Sequence, residues 1–421
     1  MASLFSQVLD LIREGDGETL AVIAVLLAVW VGLPVHFLLS SLKLNRRTML
    51  MRCLPTSKAR GVFIGLAEVK GAAQQEIPIV SYLAERDCVW YSWTIEEEWR
   101  RVETETYRDS KGNVRTRTVV RSGWTEVCSG SSTDAFLIQD DSGSVRVLPE
   151  GAEIEGTRFF TLTCSPGNDI YYGKGPDYAI PHSTYKRRFV EIGVPTGAQL
   201  YIIGPTRTQE DGIHPEFAES DSSDPYLISM RDEESITTRG TLYTYLMPLV
   251  GLVILYLPAF ADAIPTEPPV YAACIYAATC LIAWSWQWYS GMVDTRNRVS
   301  QGIAQVEVQY QRRYDLIHQL VEVVDAYCRH ETGMLERAAE LRSLVEQGHV
   351  AMVAEAYPDL KASDLFSRLH QELVDTEERL ALAREYLRTI GNFYNTRLQV
   401  FPGGLILRLL HFHSFHDYED C

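Results

Sequence analysis

No two of the 8 cysteines form a C-x-x-C pair. They stand singly at Cys53, Cys88, Cys128, Cys164, Cys274, Cys280, Cys328 and Cys421, which leaves no zinc knuckle and no thioredoxin-type redox motif. The zinc-protease pattern H-E-x-x-H is missing as well, because His330-Glu331 has no second histidine, and no G-x-S-x-G is present to carry a serine nucleophile. Gly167–Lys174 has the look of a phosphate loop, but its glycines are one residue too far apart and Gly175 replaces the Ser/Thr, so a surface loop is expected there. Base is scarce: 39 Lys+Arg face 55 Asp+Glu for a net charge of −16, which argues against general nucleic-acid binding. One histidine-rich tract, His411, His413 and His416 with Asp417, is a weak metal candidate, since residues two apart share a face only in a strand. The expectation is a chain with no catalytic residue and no cofactor.

Charge is also absent from three stretches of about 20 residues, each long enough to cross a hydrocarbon core. They are Leu20–Leu39, interrupted by Gly32, Pro34 and His36; Thr241–Ala261; and Val270–Tyr289. The first has an acidic approach (Asp10, Glu14, Asp16, Glu18) where a secretory leader would be basic, so it is taken as an anchor. The second and third, separated only by Asp262–Pro269, form a hairpin. Lys43, Arg46, Arg47 and Arg52 follow the first stretch, Arg231 and Arg239 precede the second, and Arg296 and Arg298 follow the third. The hairpin loop has no base. By the positive-inside bias the N-terminal tail and the loop lie outside, and both soluble parts lie in the cytoplasm, where the cysteines stay reduced. A bacterial inner membrane suits this layout. Tyr243, Tyr245, Trp284, Trp286, Trp288 and Tyr289 fall near segment ends, where amphipathic rings prefer the interface. His36 is ionisable inside a membrane segment, and with no partner in sequence it is expected to snorkel or pack.

The reading therefore divides the chain into a tail (1–19), a first membrane helix (20–42), a β-rich domain (53–240), a second helix (241–261), an external loop (262–269), a third helix (270–290) and a helical bundle (291–421). In the β-rich part, Cys88–Ile95 and Arg115–Val120 are strand-prone, with turn residues Asp109–Asn113 between them. A second hairpin runs through Ala135–Ile138, Asp140–Gly143 and Ser144–Leu148. Arg188–Ile192 and Gln199–Ile203 are joined by Pro195-Thr196-Gly197. A mostly antiparallel domain follows.

The order Cys88-Val89-Trp90-Tyr91, then Phe136-x-Ile138-x-Asp140-x-x-Gly143-x-Val145-x-Val147-x-Pro149, then Glu191…Gly197…Tyr201-x-x-Gly204 resembles the GIDE domain, the module beside the membrane in membrane-anchored RING ubiquitin ligases. A RING needs paired Cys/His ligands, eight in all. After Tyr289 this chain has only Cys328 and Cys421, so the resemblance does not bring ligase chemistry with it.

Beyond the hairpin the helical period is strong. Ile303, Val306, Tyr310, Ile317, Leu320, Val324 and Tyr327 form one stripe, and Phe366, Leu369, Leu373, Leu380, Leu387, Tyr394, Leu398 and Phe401 another. Shorter helical pieces are expected around Met334–Val345 and Ala351–Ala356. Tyr357-Pro358 precedes the long helix, Ser363 or Asp364 caps it, and Pro402-Gly403-Gly404 ends it. Arg312-Arg313-x-Asp315-Leu316-Ile317 with His330-Glu331, Glu355–Ala362, Leu369…Glu372-Leu373…Thr376-Glu377…Ala383-Arg384 and Tyr394-Asn395…Phe401-Pro402 are together similar to the LemA family. His318 and Leu387 depart from that pattern. The resemblance implies a membrane-attached helical bundle and no catalytic activity. Glu377 and Arg384, seven apart on the long stripe, are expected to be buried and to pair with Arg313 as a structural polar network.

The function expected is that of a non-enzymatic membrane scaffold, with membrane lipid, protein partners or copies of itself as its contacts and no nucleic acid. The alternative is an adaptor subunit of an enzyme complex, ubiquitin-ligase-like or peptidase-associated.

Overall fold

A computed structural model describes residues 17–75, 77–108, 114–209, 214–220, 224–231, 233–260, 267–330, 343–345, 364–400 and 413–415. The chain divides into two compact units, one of residues 56–232 and one of residues 1–55 with 233–421. The first is β-rich and the second helical. Residues 1–16 of the expected tail, the turn at 109–113, residues 334–342 of the helical piece expected around Met334–Val345, the whole piece Ala351–Ala356, Tyr357-Pro358, Ser363 and Pro402-Gly403-Gly404 lie outside the described residues.

The β unit has two sheets. Strands β1 (Gly65–Gln74), β5 (Phe136–Gln139), β6 (Ser144–Val147), β11 (Pro215–Phe217) and β10 (Gln199–Thr208) pair in that order, and β10 pairs back onto β1. The ring is therefore closed, a small barrel. β12 (Leu227–Ser229) and β7 (Glu153–Glu155) branch from the same edge of β10 that carries β11. The expected antiparallel character is general but incomplete: β6–β11 and β7–β12 are parallel. The period-2 pattern explains the core, because Phe136 and Ile138 on β5 and Val145 and Val147 on β6 all point inward, against Val69, Trp90, Ile202 and Phe217. β10 is buried from Leu200 to Thr206, on both faces. On its second face the Tyr201 hydroxyl donates to buried Glu68 at 3.0 Å, and Thr56 donates to the same carboxylate at 2.6 Å. Gly71 is required where the barrel closes. A Cβ there would lie 2.9 Å from the Gln139 carbonyl carbon and closer still to its oxygen.

The second sheet runs β2 (Ile79–Val80), β3 (Asp87–Arg108), β9 (Ser183–Pro195) and β8 (Thr157–Cys164), with β4 (Val114–Ser131) on the free edge of β3. β3 and β4 are far longer than the strand-prone runs suggest. They pair from Ser92/Ser131 to Arg108/Val114 with one register shift between Ile95 and Glu96, whereas β9 leaves β3 at Trp99. Beyond that point the hairpin is a two-stranded ribbon. The segment Gly167–Lys174, expected as a loop, instead contains a short helix, α2 (Asp169–Gly173), the second in the chain after α1 (Gly17–Cys53). Its N-cap Asn168 accepts from the Ile170 amide at 3.1 Å.

The helical unit contains α1 (Gly17–Cys53), α3 (Glu233–Phe260), α4 (Glu267–His330) and α5 (Asp364–Gln399). α4 begins at Glu267, so the expected loop 262–269 is shortened from its C-terminal side. Two of these helices, α3 at Gly240–Leu257 and α4 from Val270, are long and apolar enough to cross a membrane. α1 packs beside both. Leu38, Leu255 and Tyr276 share a buried cluster with Trp30, Leu42 and Leu252. Polar links join the same three helices: Ser41 Oγ donates to the Thr244 carbonyl at 2.7 Å, Tyr276 Oη to the Pro34 carbonyl at 3.2 Å, and Gln287 Nε2 to the Leu42 carbonyl at 2.5 Å. Gly251 permits the approach, since a Cβ there would sit 2.5 Å from Tyr276 Oη.

α4 does not break between its membrane-length stretch and the bundle. Its 64 residues rise about 96 Å at 1.5 Å each. α5 returns antiparallel along its second half, burying Phe366, Leu369, Leu373, Thr376, Leu380, Ala383, Leu387, Ile390 and Tyr394. That alternation of 3 and 4 is a heptad seam. Leu316, Leu320 and Val324 face it from α4.

Candidate functional site

Among the described residues no group of three or more His, Cys, Asp or Glu is placed to hold a metal. His413 is exposed, and its carbonyl accepts from Tyr394 Oη at 3.0 Å. His411, His416 and Asp417 lie outside the described residues. His36 is exposed on α1, its ring edge-on to Phe37 at 6.2 Å. Three other places concentrate polar chemistry.

The first is the bundle seam. Arg313 donates to Glu377, so the structure brings that pair together, but not in the interior: the side chains are 35% and 48% exposed. Arg384 does not join them. It is exposed, donates to Tyr310 Oη, and lies 5.2 Å over the Tyr310 ring. The expected burial of Glu377 and Arg384 is corrected by one helical step. The seam takes Thr376 and Ala383, and the next residue on each turn flanks it. Both charges sit where e-position side chains of a coiled coil meet water. An exposed pair of this kind is worth about 0–1 kcal/mol.

The second is a buried knot in the β unit that the sequence does not announce. Arg187 on β9 and Glu97 on β3 are both fully buried and bonded, Nε to Oε2, at 3.1 Å. The other guanidinium nitrogens donate to the carbonyls of Tyr171 (2.9 Å), Pro176 (2.7 Å) and Tyr178 (2.6 Å), and the group stacks 4.1 Å over the Tyr171 ring. Ser183 donates to Glu97 as well. One cation thus fastens the segment 171–178 to the sheet. His182 and Tyr185 hold left-handed φ of 61° and 59° at its return, a strained backbone for side-chain-bearing residues. Nearby, buried Glu191 accepts from the amides of Leu83 and Ala84 at 2.8 and 2.7 Å and so closes the β2–β3 turn. Each guanidinium nitrogen of Arg187 and both carboxylate oxygens of Glu191 are bonded, so these two charges position the fold.

The thiols divide sharply by position. Cys88 is fully buried, and that burial, with Glu191 and Asp87 adding to it, pushes its thiol up to about 11. Cys128 is an exposed free cysteine on β4. Alkylation of the native chain at pH 8 should therefore modify Cys128 quickly and Cys88 only after denaturation, read by mass spectrometry of tryptic peptides. Equal rates would mean that the β3 core is open. The sign for stability follows from the raised value: the neutral thiol is favoured in the folded state, so the contribution of Cys88 is complete below the ordinary thiol range and is lost as pH rises toward about 11. Asp140 has the opposite sign. Burial alone would raise its carboxyl, but bonds from Ser142 and the amides of Ala59 and Gly143 outweigh that and hold it below the ordinary value. Its contribution is present above the ordinary carboxylate range and is lost as pH falls through the lowered value.

The third place is the projecting ribbon of β3 and β4. Arg100, Arg101, Arg108, Arg115, Arg117 and Arg121 outnumber Glu103 and Glu105 on it, in a chain that is acidic as a whole. One face carries the ion pairs Arg117–Glu105 (2.8 Å), Arg121–Glu105 (3.0 Å) and Arg101–Glu103 (3.2 Å). The other carries the cross-strand pairs Val102/Val120, Thr104/Thr118 and Thr106/Thr116, with Val102 63% and Val120 50% exposed. Among the described strands nothing pairs with the outer edges of this ribbon.

A β barrel with a long ribbon, a pair of helices long and apolar enough to cross a membrane and an antiparallel helical bundle define a two-module protein. The comparisons give each module a family. A model of the LemA family matches residues 302–351 and 346–420, and the GIDE model, described as E3 ubiquitin ligase, matches residues 102–257. The chain is a fusion of a GIDE-type region with a LemA-family region. The GIDE match starts within β3 and runs into α3. No curated protein and no solved structure matches the chain.

Proposed function

We propose that the chain is a non-catalytic membrane adaptor or scaffold, held by three membrane helices, α1, α3 and α4, with the β unit and the bundle both on the cytoplasmic side. The observation that carries this reading is the unbroken α4. A membrane-length helix that continues as the first bundle helix leaves the bundle no linker in which to turn freely. A partner held by one module is thereby confined to the membrane plane, where a second contact is favoured by effective concentration. The packing of α1 against α3 and α4, with Trp30 Nε1 bonded to the Ile254 carbonyl at 3.2 Å, supports a third crossing by the stretch Leu20–Leu39. The exposed basic ribbon and the acidic bundle are the surfaces offered to protein partners or to copies of the chain.

The second reading, an adaptor subunit of a ubiquitin-ligase-like or peptidase-associated complex, draws on the description of the GIDE match. A reconstitution separates it from intrinsic activity. Full-length chain in nanodiscs, supplied with ubiquitin, activating and conjugating enzymes and ATP, should release ubiquitin from the loaded conjugating enzyme no faster than empty discs do. Acceleration dependent on the chain would refute the non-catalytic reading.

A further inference from the structure

Where α1, α4 and α5 meet there is a cavity of about 440 Å³, lined by Arg46, Arg298, Arg397, Asp294, Ser290 and Trp286 among others. It presents three guanidinium groups against one carboxylate. Arg298 is only 9% exposed, and among the described residues it has no hydrogen bond and no ion pair, although it lines an open cavity. Such a charge is costly to hold without a counter-ion. Arg397 reaches the Thr295 hydroxyl at 3.3 Å and so stands against the same wall.

A second space shares the lining residue Gln287 with it. A cleft of about 540 Å³ between α1, α3 and α4 is lined by Leu42, Pro248, Leu252, Tyr276 and Leu281 and is almost wholly apolar. Gln287 borders both spaces; its Nε2 holds the Leu42 carbonyl and its Oε1 accepts from Asn45 Nδ2, each at 2.5 Å. The change from apolar to cationic occurs at the level of Trp286 and Tyr289, whose rings lie 6.1 Å apart at the end of the uncharged stretch of α4. Aromatic side chains of that kind mark the headgroup layer.

We propose that cleft and cavity form one site for an anionic phospholipid, its acyl chain along the cleft and its phosphate on Arg298 and Arg397 beside Arg46. The inference rests on the membrane placement of α1, α3 and α4. Three features point to this occupant together: an unpaired buried cation, an apolar trough leading to it, and a position at the cytoplasmic end of membrane helices, where basic pockets bind lipid phosphates. Asp294 favours a headgroup that also carries a hydroxyl, because such a group donates to the carboxylate while its phosphate accepts from the arginines. A glycerol-type headgroup meets both requirements, and a choline headgroup meets neither the charge nor the donor.

The test uses purified full-length chain in mild detergent, titrated with short-chain fluorescent phosphatidylglycerol, with phosphatidylcholine and with inorganic phosphate as competitors. Phosphatidylglycerol should bind saturably. Arg298→Gln should weaken it about tenfold or more, as loss of a charge-assisted bond implies, while the exposed neighbour variant Arg296→Gln stays within about twofold. Arg397→Gln supplies the same readout if Arg298→Gln does not fold. Equal binding of phosphatidylcholine, or equal loss in Arg296→Gln and Arg298→Gln, would overturn the site. Displacement by millimolar inorganic phosphate would assign the cavity to free phosphate and overturn the lipid. Alkaline carbonate extraction separates this failure from that of the membrane reading: a chain washed off membranes refutes both, whereas a chain that resists extraction yet ignores phosphatidylglycerol refutes only the lipid site.

Discussion

Arg187→Ala should destabilise the β unit by about 3–5 kcal/mol, the cost of leaving one member of a buried ion pair without its partner. Glu97 would remain fully buried with only the Ser183 hydroxyl, and three carbonyls would lose their donor at once. The loss has a location. Segment 171–178 is fastened by this guanidinium and by Lys174, which bonds the Tyr82 carbonyl at 2.9 Å. Hydrogen exchange of the full-length variant should accelerate first there and along β8–β9. Arg313→Ala is the control. Its ion pair with Glu377 is half-exposed, so its removal should cost no more than about 1 kcal/mol and leave bundle protection nearly unchanged. A large loss from Arg313 with a small one from Arg187 would reverse the assignment of buried and exposed pairs.

Gly71→Val carries the next largest effect. The added side chain meets the backbone of Gln139, which cannot rotate away, so β1 and β5 must separate. Overpacking of a tight core costs about 1–3 kcal/mol, and opening the ring adds the loss of ladder bonds. Thermal unfolding of full-length chain followed by tryptophan emission should show a β-unit transition several degrees lower. Gly167→Val, at a glycine with nothing within 4 Å of a Cβ, should leave it in place. Equal shifts would mean that β1 and β5 are not closed at this point.

What could be read from the sequence, and what could not, follows from the range of the interactions. The uncharged stretches at 241–261 and 270–289 appear in the fold as α3 and the first part of α4, because absence of charge is a local property. The seam of α5 is legible from its 3–4 spacing, and the hairpin β5–β6 from Asp140–Gly143, where the Asp140 carboxylate gathers the turn. Barrel closure was not legible. It depends on β1 meeting β10, whose paired residues are 127 to 141 positions apart, and on β11 and β12 strands of three residues each. The full length of β3 is not legible because Arg100–Thr106 lies in a two-stranded ribbon with both faces open to solvent and so lacks an apolar alternation. Arg187 sits in the run Lys186-Arg187-Arg188, which reads as solvated charge; only alternation along β9 turns the middle one inward. Arg298 reads as a topology signal, and its place in a cavity requires α5 to return beside α4. Glu377 lies a single position from the seam residue Thr376, which on a helix is a rotation of about 100° and takes it from the interior to the flank.

The adaptor account rests above all on how many times the chain crosses the membrane. Single tags placed before Ser6, within Lys111-Gly112, at Thr266 and after Cys421, each in an otherwise unchanged chain in intact cells, decide it through external protease. The account predicts that the N-terminal and Thr266 tags are cleaved, while those at Lys111-Gly112 and after Cys421 are protected until the membrane is opened. Protection of the N-terminal tag alongside the two module tags would mean two crossings, with α1 on the cytoplasmic side, and cleavage at Lys111-Gly112 in sealed cells would contradict the account outright.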